Sequence, residues 1–263
     1  MKVSLDLGRS DEYVRRISRD SLLIDSSRDI LRLNLEEEPD ERTIFIGDGK
    51  SWKKWQLFDE TTGFFYKMVN VASGKPPTIE ISGVKMHVTQ DGDPQKDTRQ
   101  KLKQLKKIRG RVWDTCLGLG YTAIALSQLE AVEDVFVSER DLNVLKLCRQ
   151  NPWSRELFES SKIHLVLSPA QEMVRNFSDD SLDAVLHDPP RFSRAGELYG
   201  EFFYRELFRV LKPGGQLYHY TGDPNRYVRK RGLPQQVQQR LLKIGFYPVL
   251  EGYFGVTARK PKY

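Results

Sequence analysis

Cysteine and histidine are scarce in this chain of 263 residues, which holds two of the first and four of the second. Cys116 and Cys148 fall in no metal-ligand spacing and the histidines form no HxxxH pair, so no zinc site built by the protein is expected. No stretch approaches the ~18 uninterrupted apolar residues that a membrane span requires. The opening MKVSLDLGRSDEYV also lacks the apolar core of a signal peptide. No membrane partner and a cytoplasmic location are therefore expected. Internal repeats and low-complexity tracts are missing too, which argues against a solenoid.

What is present is ordinary in amount and uneven in place. Hydrophobic residues make up 39% and charged residues 30%, enough apolar matter for a folded core. The length allows one large domain or two modest ones. Residues 1–90 hold 14 Lys/Arg against 15 Asp/Glu, whereas residues 91–263 hold 28 against 21. The positive excess thus belongs to the C-terminal part, which suits an anionic partner.

The pattern of the chain changes near residue 90. Before it, SLLIDS, DILRLNL, TIFIGDG, GFFYKMVNV and TIEISGVKMHV read as short strands separated by turn residues, a small β-rich domain over 1–90. Trp52, Trp55, Phe64 and Phe65 are expected to form its small core. The turn-rich TQDGDPQKDTRQ marks the boundary. After it, a basic helix over DTRQKLKQLKKI is followed by strands and helices in alternation. The strands are GRVWDTC, DVFVSE, KIHLVLS, LDAVLHD and GQLYHYT; a last helix, PQQVQQRLLKIG, precedes the strands FYPVLEG and FGVTARK. Strands separated by helices of this length need crossovers, which predicts a doubly wound α/β domain with a mostly parallel sheet over 91–263.

Within VWDTCLGLGYTAIAL, Asp114, Thr115, Gly118, Gly120 and Tyr121 lie between the first of these strands and its helix. Glycines there allow a sharp turn and let a ligand lie against backbone at a helix N-terminus. The spacing DxxxGxG lacks a third glycine, so the dinucleotide fingerprint GxGxxG is incomplete. About twenty residues on, the next strand ends in Glu139, where a carboxylate can accept hydrogen bonds from the hydroxyls of a ribose. The alternative is that Glu139 caps the helix starting at Asp141.

These segments, with HDPP and LFRVLKPGGQLYHY, resemble in order and spacing the motifs of class I S-adenosylmethionine-dependent methyltransferases. The run NPWS…HDPPRFSRAGELYGEFFYRELFRVLKPGGQLYHYTG is similar, more narrowly, to an uncharacterised and mainly archaeal group of predicted methyltransferases. The resemblance covers about residues 77–263. It implies a Rossmann-like seven-stranded sheet whose last strand, FGVTARK, runs antiparallel, and S-adenosylmethionine as cofactor. It also implies that Asp114 meets the methionine ammonium and that Gly118 and Gly120 admit the cofactor. Glu139 would hold the ribose, with Arg140 beside the adenine. Many such enzymes carry an acid after the third strand. Here LSPAQEM offers Ser168, Ala170 and Gln171, so adenine recognition rests on Gln171, backbone and apolar contacts.

HDPPR follows the fourth strand, at the edge where an open α/β sheet places reactive groups. Asp188 can accept a hydrogen bond from an amine, and the carbonyls of Pro189 and Pro190 are fixed by ring geometry. The resemblance to N-methyltransferases with D/N-P-P-aromatic implies an amine held with its lone pair towards the sulfonium methyl, a task of positioning. The competing reading is that Pro-Pro only ends a strand and Asp188 caps a turn. Arg191 stands where the aromatic is usual; it can stack through its guanidinium or hold an anion, with Phe192 next to it. Covalent C5 chemistry on pyrimidines is disfavoured, because no cysteine follows Cys148. His187 and His219 end neighbouring strands and either take the proton released on methylation or are buried and satisfied by backbone. Glu197 and Tyr199 either close over the pocket or, for Glu197, cap the next helix.

Two basic runs, 101–111 and 226–231, suit contact with a phosphate backbone and make RNA a candidate substrate; a homodimer is the other partner considered. Three functions remain open from sequence. They are a methyltransferase acting on nitrogen, a polyamine aminopropyltransferase using decarboxylated S-adenosylmethionine, and a non-catalytic cofactor- or RNA-binding module.

Overall fold

The computed structural model describes residues 2–3, 9, 12–18, 21–24, 30–32, 42–47, 52–72, 74–89, 92–222 and 232–262. The chain divides into two compact units, Met1–Asp97 with Asn151–Trp153, and Thr98–Gln150 with Ser154–Tyr263.

The first unit is antiparallel throughout. Strands β1 (Lys2–Val3), β2 (Glu12–Ser18), β3 (Ser21–Ile24) and β4 (Ile30–Arg32) pair in sequence order. β5 (Phe45–Gly47) and β6 (Trp52–Lys54) form a two-stranded ribbon. β7 (Gln56–Asp59), β8 (Phe64–Val69), β9 (Thr78–Ile81) and β10 (Val84–Lys85) form a meander. TIEISGVKMHV is therefore two strands. Ser82 and Gly83 both have positive φ, 45° and 79°, and make the two-residue turn between β9 and β10 whose twist suits a hairpin. Trp55, Tyr66, Met68, Ile79 and Ile81 are buried, while Phe65 is 38% exposed, so Trp55 belongs to the core and Phe65 lies largely outside it.

Helix α1 (Pro94–Leu102) begins earlier and ends earlier than the basic run suggested. Asp93 accepts the Lys96 amide at 2.8 Å and Pro94 occupies the first turn, a start signal that sat inside the supposed linker.

The second unit carries a seven-stranded sheet built from β11 (Gly110–Asp114), β12 (Val132–Glu139), β13 (Ile163–Leu167), β14 (Leu182–His187), β15 (Leu211–Tyr220), β16 (Val249–Gly252) and β17 (Gly255–Arg259). The order is β13-β12-β11-β14-β15-β17-β16, and β17 runs antiparallel to both of its neighbours. Helices α2 (Tyr121–Ser127), α3 (Leu142–Gln150), α4 (Glu156–Glu159), α5 (Ala170–Met173), α6 (Glu201–Val210) and α7 (Leu233–Ile244) connect the strands. This is the doubly wound α/β architecture expected from the alternating pattern, and the seven strands with FGVTARK reversed are those that the resemblance implied. Trp113, Val185, Leu217 and Ala258 stand in one row across four strands and join a core with Phe203, Tyr204 and Leu207 of α6 and Val237 and Leu241 of α7. Burying an aliphatic side chain of this kind stabilises the fold by about 1.5–3 kcal/mol. The core thereby fixes the ends of β11, β12, β14 and β15, the edge on which the candidate site is built. Among the described residues no helix is long and apolar enough to cross a membrane.

Candidate active site

The carboxyl edge begins where β11 stops. After Asp114 the Thr115 amide still bonds the Leu186 carbonyl at 3.0 Å and the Leu117 amide the Ser138 carbonyl at 3.1 Å, so the loop hangs between β14 and β12. Gly118 and Gly120 have φ of 55° and 79°, and Gly120 stands at the N-cap of α2. A side chain at Gly120 would be strained by that φ and crowded by Leu117 and Leu157.

Asp114 is completely buried. Thr122, in the first turn of α2, donates its hydroxyl to Oδ2 at 2.5 Å, and Oδ1 has no partner. Burial is the main cause that pushes this carboxyl up to about 7, with Asp188 adding to the shift and Thr122 and Lys101 opposing it. An unpartnered carboxylate oxygen in such a place suits a cationic or N–H donor ligand.

Glu139 ends β12 beside this loop. Its Oε1 accepts the Asp141 amide at 2.8 Å, and the nearby Arg140 and Gly118 amides also favour the ionised carboxylate, which sets the acid beside the glycine loop. Burial pushes Glu139 up to about 7. The start of α3 is capped by Asp141, which accepts the Asn143 amide at 2.9 Å. The Arg140 guanidinium lies 3.7 Å from Glu197, an ion pair from the end of β12 to the turn Gly196–Tyr199. Across the next strand the Ser168 amide bonds the Glu139 carbonyl, bringing Ala170, buried, and Gln171, half-buried, to the start of α5 on the same edge. Tyr121, buried, opens α2.

His187 and His219 face each other across β14 and β15, ring centroids 4.4 Å apart, and both are completely buried. Thr115 Oγ1 lies 2.7 Å from His187 Nδ1, and His187 Nε2 is 3.1 Å from the Leu198 carbonyl. Nε2 therefore donates to the carbonyl and Nδ1 accepts the Thr115 hydroxyl. Burial holds His187 down at about 3 and His219 well below the usual range. The Tyr204 hydroxyl is 2.9 Å from His219 Nε2, while His219 Nδ1 has no partner. Two neutral imidazoles enclosed in this way brace the loops of the edge; they are poorly suited to releasing a proton to solvent.

Asp188 follows His187. Its Oδ2 is 2.6 Å from Lys101 Nζ, and Lys101, at the end of α1, is 2% exposed. The ammonium also lies 4.7 Å from the centre of the Tyr220 ring. Lys101 is thus no member of a solvated basic patch: it is enclosed at the end of α1 and paired with the loop that follows β14. Nothing in KLKQLKKIRGR separates it from Lys103, Lys106 and Lys107, which are exposed. Pro190 gives its carbonyl to the Tyr199 hydroxyl at 3.0 Å, so Tyr199 fixes the loop from beneath; the Phe192 ring packs on Tyr199 at 5.5 Å while Arg191 is exposed. Thr122, Lys101 and Tyr199 on Pro190 are the contributions that sequence reasoning did not assign. The only signal for Thr122 was a polar residue on the buried face of an otherwise apolar helix.

The exposed part of the first basic run leaves this edge. Gln104 accepts the Tyr253 amide near the end of β15, whereas the Lys106 amide and carbonyl bond the Gln216 side chain four residues before the end of that strand. Lys106 and Lys107 therefore lie towards the amino edge, on the order of 10 Å or more from Asp188 along the strands. The second run, 226–231, lies outside the described residues. Among the described residues no three His, Cys, Asp or Glu side chains converge as a metal site.

A parallel sheet in this order with one reversed strand, a glycine turn after its first central strand and an acid after the second, is the fold of the S-adenosylmethionine-related transferases. Spermidine synthase from Thermotoga maritima superposes with a TM-score of 0.62 at 17% identity, covering 84% of this chain and 73% of that one. A spermidine synthase in complex with the transition-state analogue AdoDATO gives 0.62 at 17%, covering 87% and 83%. MNMC2 from Aquifex aeolicus gives 0.54 at 16%, covering 75% and 70%. Identities this low carry the fold alone. No family model matches the sequence. The chain belongs to the family of the uncharacterized protein MJ1233 of Methanocaldococcus jannaschii, with which it is 43% identical over 241 residues, 90% of this chain and 80% of that protein.

Proposed function

We propose that the protein is an S-adenosylmethionine-dependent methyltransferase that modifies a nitrogen of an amine-bearing acceptor, with RNA the leading candidate. The observation that carries the donor half of this reading is the buried Asp114, whose Oδ1 has no protein partner. Such an oxygen fits the α-ammonium of the donor, and Glu139, beside the glycine loop, fits the two hydroxyls of its ribose. When bound, the donor supplies an electrophilic methyl group on a sulfonium. Gly118 and Gly120 let backbone approach it, Arg140 and Gln171 line the side expected for adenine, and Thr115 is held by His187. Asp188 and the Pro189 carbonyl orient the acceptor N–H groups so that the nitrogen lone pair faces the methyl; as the N–C bond forms the S–C bond breaks, the demethylated thioether product leaves, and the surplus N–H proton passes by way of Asp188 to water, while Tyr199 fixes the loop through Pro190. His187 and His219 act as positioning residues.

A second reading has its own support. Two spermidine synthases match over 84% and 87% of this chain, and aminopropyl transfer would use a decarboxylated donor that keeps the ammonium Asp114 fits. Calorimetry with S-adenosylmethionine, its demethylated product and the decarboxylated donor separates the two. Binding of the first two with little affinity for the third is the expected result. Incubation with tritium-labelled methyl donor and fractionated RNA, protein and metabolites then finds the acceptor. Labelling of no fraction, with the decarboxylated donor bound tightest, overturns the proposal.

A further inference from the structure

The ion pair on the reactive loop bears on which nitrogen can be used. Lys101 reaches Asp188 from 87 residues away in sequence and is almost fully enclosed, its ammonium set between Asp188 Oδ2 and the face of Tyr220. Burying an ammonium is costly unless it is paired, so Lys101 is held to this place and Asp188 is held to Lys101. An aliphatic amine is protonated near neutral pH. To dock on Asp188 it would bring a second cation against the first, and protonated it has no lone pair to attack a methyl group. A weakly basic nitrogen, whose lone pair is part of an aromatic system, is neutral at the same pH and meets neither obstacle.

We propose that Lys101 is a specificity-determining residue: its ammonium is a built-in cation on Asp188 that bars protonated alkylamines and reserves the loop for neutral, weakly basic nitrogen such as the amino group of a nucleobase. The inference rests on the reading of the Asp188 loop as the acceptor site. It deepens that reading by naming the acceptor class and by setting the site apart from one made for polyamines.

The test uses the full chain and 1,4-diaminobutane as the probe, titrated calorimetrically into wild type, Lys101→Met, Lys101→Gln and Lys101→Arg, with and without the demethylated donor product. Thermal melts identify the folded variants, and Lys101→Gln keeps the test open should Lys101→Met fail to fold. Wild type and Lys101→Arg are expected to bind the diamine at least about tenfold more weakly than Lys101→Met and Lys101→Gln. Adding Asp188→Asn to either of the latter should remove the gain. A role of Lys101 in stability alone moves the melting temperature and creates no diamine site. Saturable diamine binding by wild type as tight as by the variants, or folded variants that gain none, overturns the inference. Wild type that fails to bind the demethylated product counts against the proposed donor instead, because the diamine arm run without it still reports on Lys101.

Discussion

The two edges of the seven-stranded sheet handle charge in opposite ways. At the amino edge, ion pairs face water: Lys212 with Asp183 at 2.6 Å, Lys260 with Asp180 at 2.5 Å and Arg209 with Asp179 at 2.7 Å each have one substantially exposed partner, and Arg209 also bonds the half-buried Glu206 at 2.8 Å. At the carboxyl edge one pair, Arg140 with Glu197, is likewise exposed, but Asp114, Glu139, Lys101 and Asp188 are wholly or mostly enclosed, and two of the carboxyls are raised to about 7. Enclosure makes these charges unstable without specific partners, which on the proposed function are the donor and the acceptor. At the amino edge, water already screens the same residue types, and their removal is cheap.

The sharpest test of that contrast is Asp188→Asn, which keeps an oxygen for Lys101 and removes the charge. Turnover should fall more than about a hundredfold through lost acceptor alignment, with donor affinity changed less than about twofold. Single-turnover kinetics beside donor calorimetry reads both. Glu139→Ala comes next and should act the other way round. Removing charge-assisted hydrogen bonds to a ribose weakens donor binding by roughly ten- to a hundredfold. If both variants transfer methyl groups as well as wild type, the carboxyl edge is no different from the amino edge.

Asp114→Asn separates folding from function by pH. The folded carboxyl titrates at about 7, above the ordinary Asp value of 3.8 that it regains on unfolding. Between those values the folded chain binds more protons than the unfolded one. The stability that protonated Asp114 provides is therefore complete below about pH 4 and is lost as pH rises through about 7. In the absence of donor, Asp114→Asn should raise the melting temperature relative to wild type at pH 8 by a few degrees and not at pH 4. The same variant should bind S-adenosylmethionine more weakly at pH 8, because the ammonium loses its carboxylate. Melts that shift equally at both pH values would remove the case for a strained, ligand-ready Asp114.

Much of this edge was legible in the sequence for a physical reason. The switch from period-2 runs to strand–helix alternation, the DxxxGxG turn and the acid about twenty residues later are local patterns, and the parallel sheet brings them together by its connectivity. His187 and His219 were expected on adjacent strands and pair in register. What stayed hidden depends on distant contacts. Lys101 sits in a run of lysines with no apolar periodicity to mark it as enclosed, and its partner lies 87 residues away in sequence. The Tyr199 hydroxyl on Pro190 and the Thr115 hydroxyl on His187 are likewise set by how the loops stack. The helix cap at Asp93-Pro94 was visible but competed with the turn-rich residues around it.

The smallest effect belongs to the amino edge. Lys260 donates to Asp180 and rests 4.9 Å from the centre of the Phe208 ring, and Asp180 is half exposed. Lys260→Ala removes a screened ion pair and a cation–π contact, so the loss in stability should be about 0.5–1 kcal/mol. Part of that loss should vanish in about 1 M salt, where the Debye length falls to about 3 Å. Donor affinity and methyl transfer should be unaffected. If Lys260→Ala instead impairs donor binding as Glu139→Ala does, charge at the two edges acts as one coupled field. The proposed division of labour across the sheet, in which the enclosed charges of the carboxyl edge serve donor and acceptor and the exposed pairs of the amino edge serve the fold, would then have to be given up.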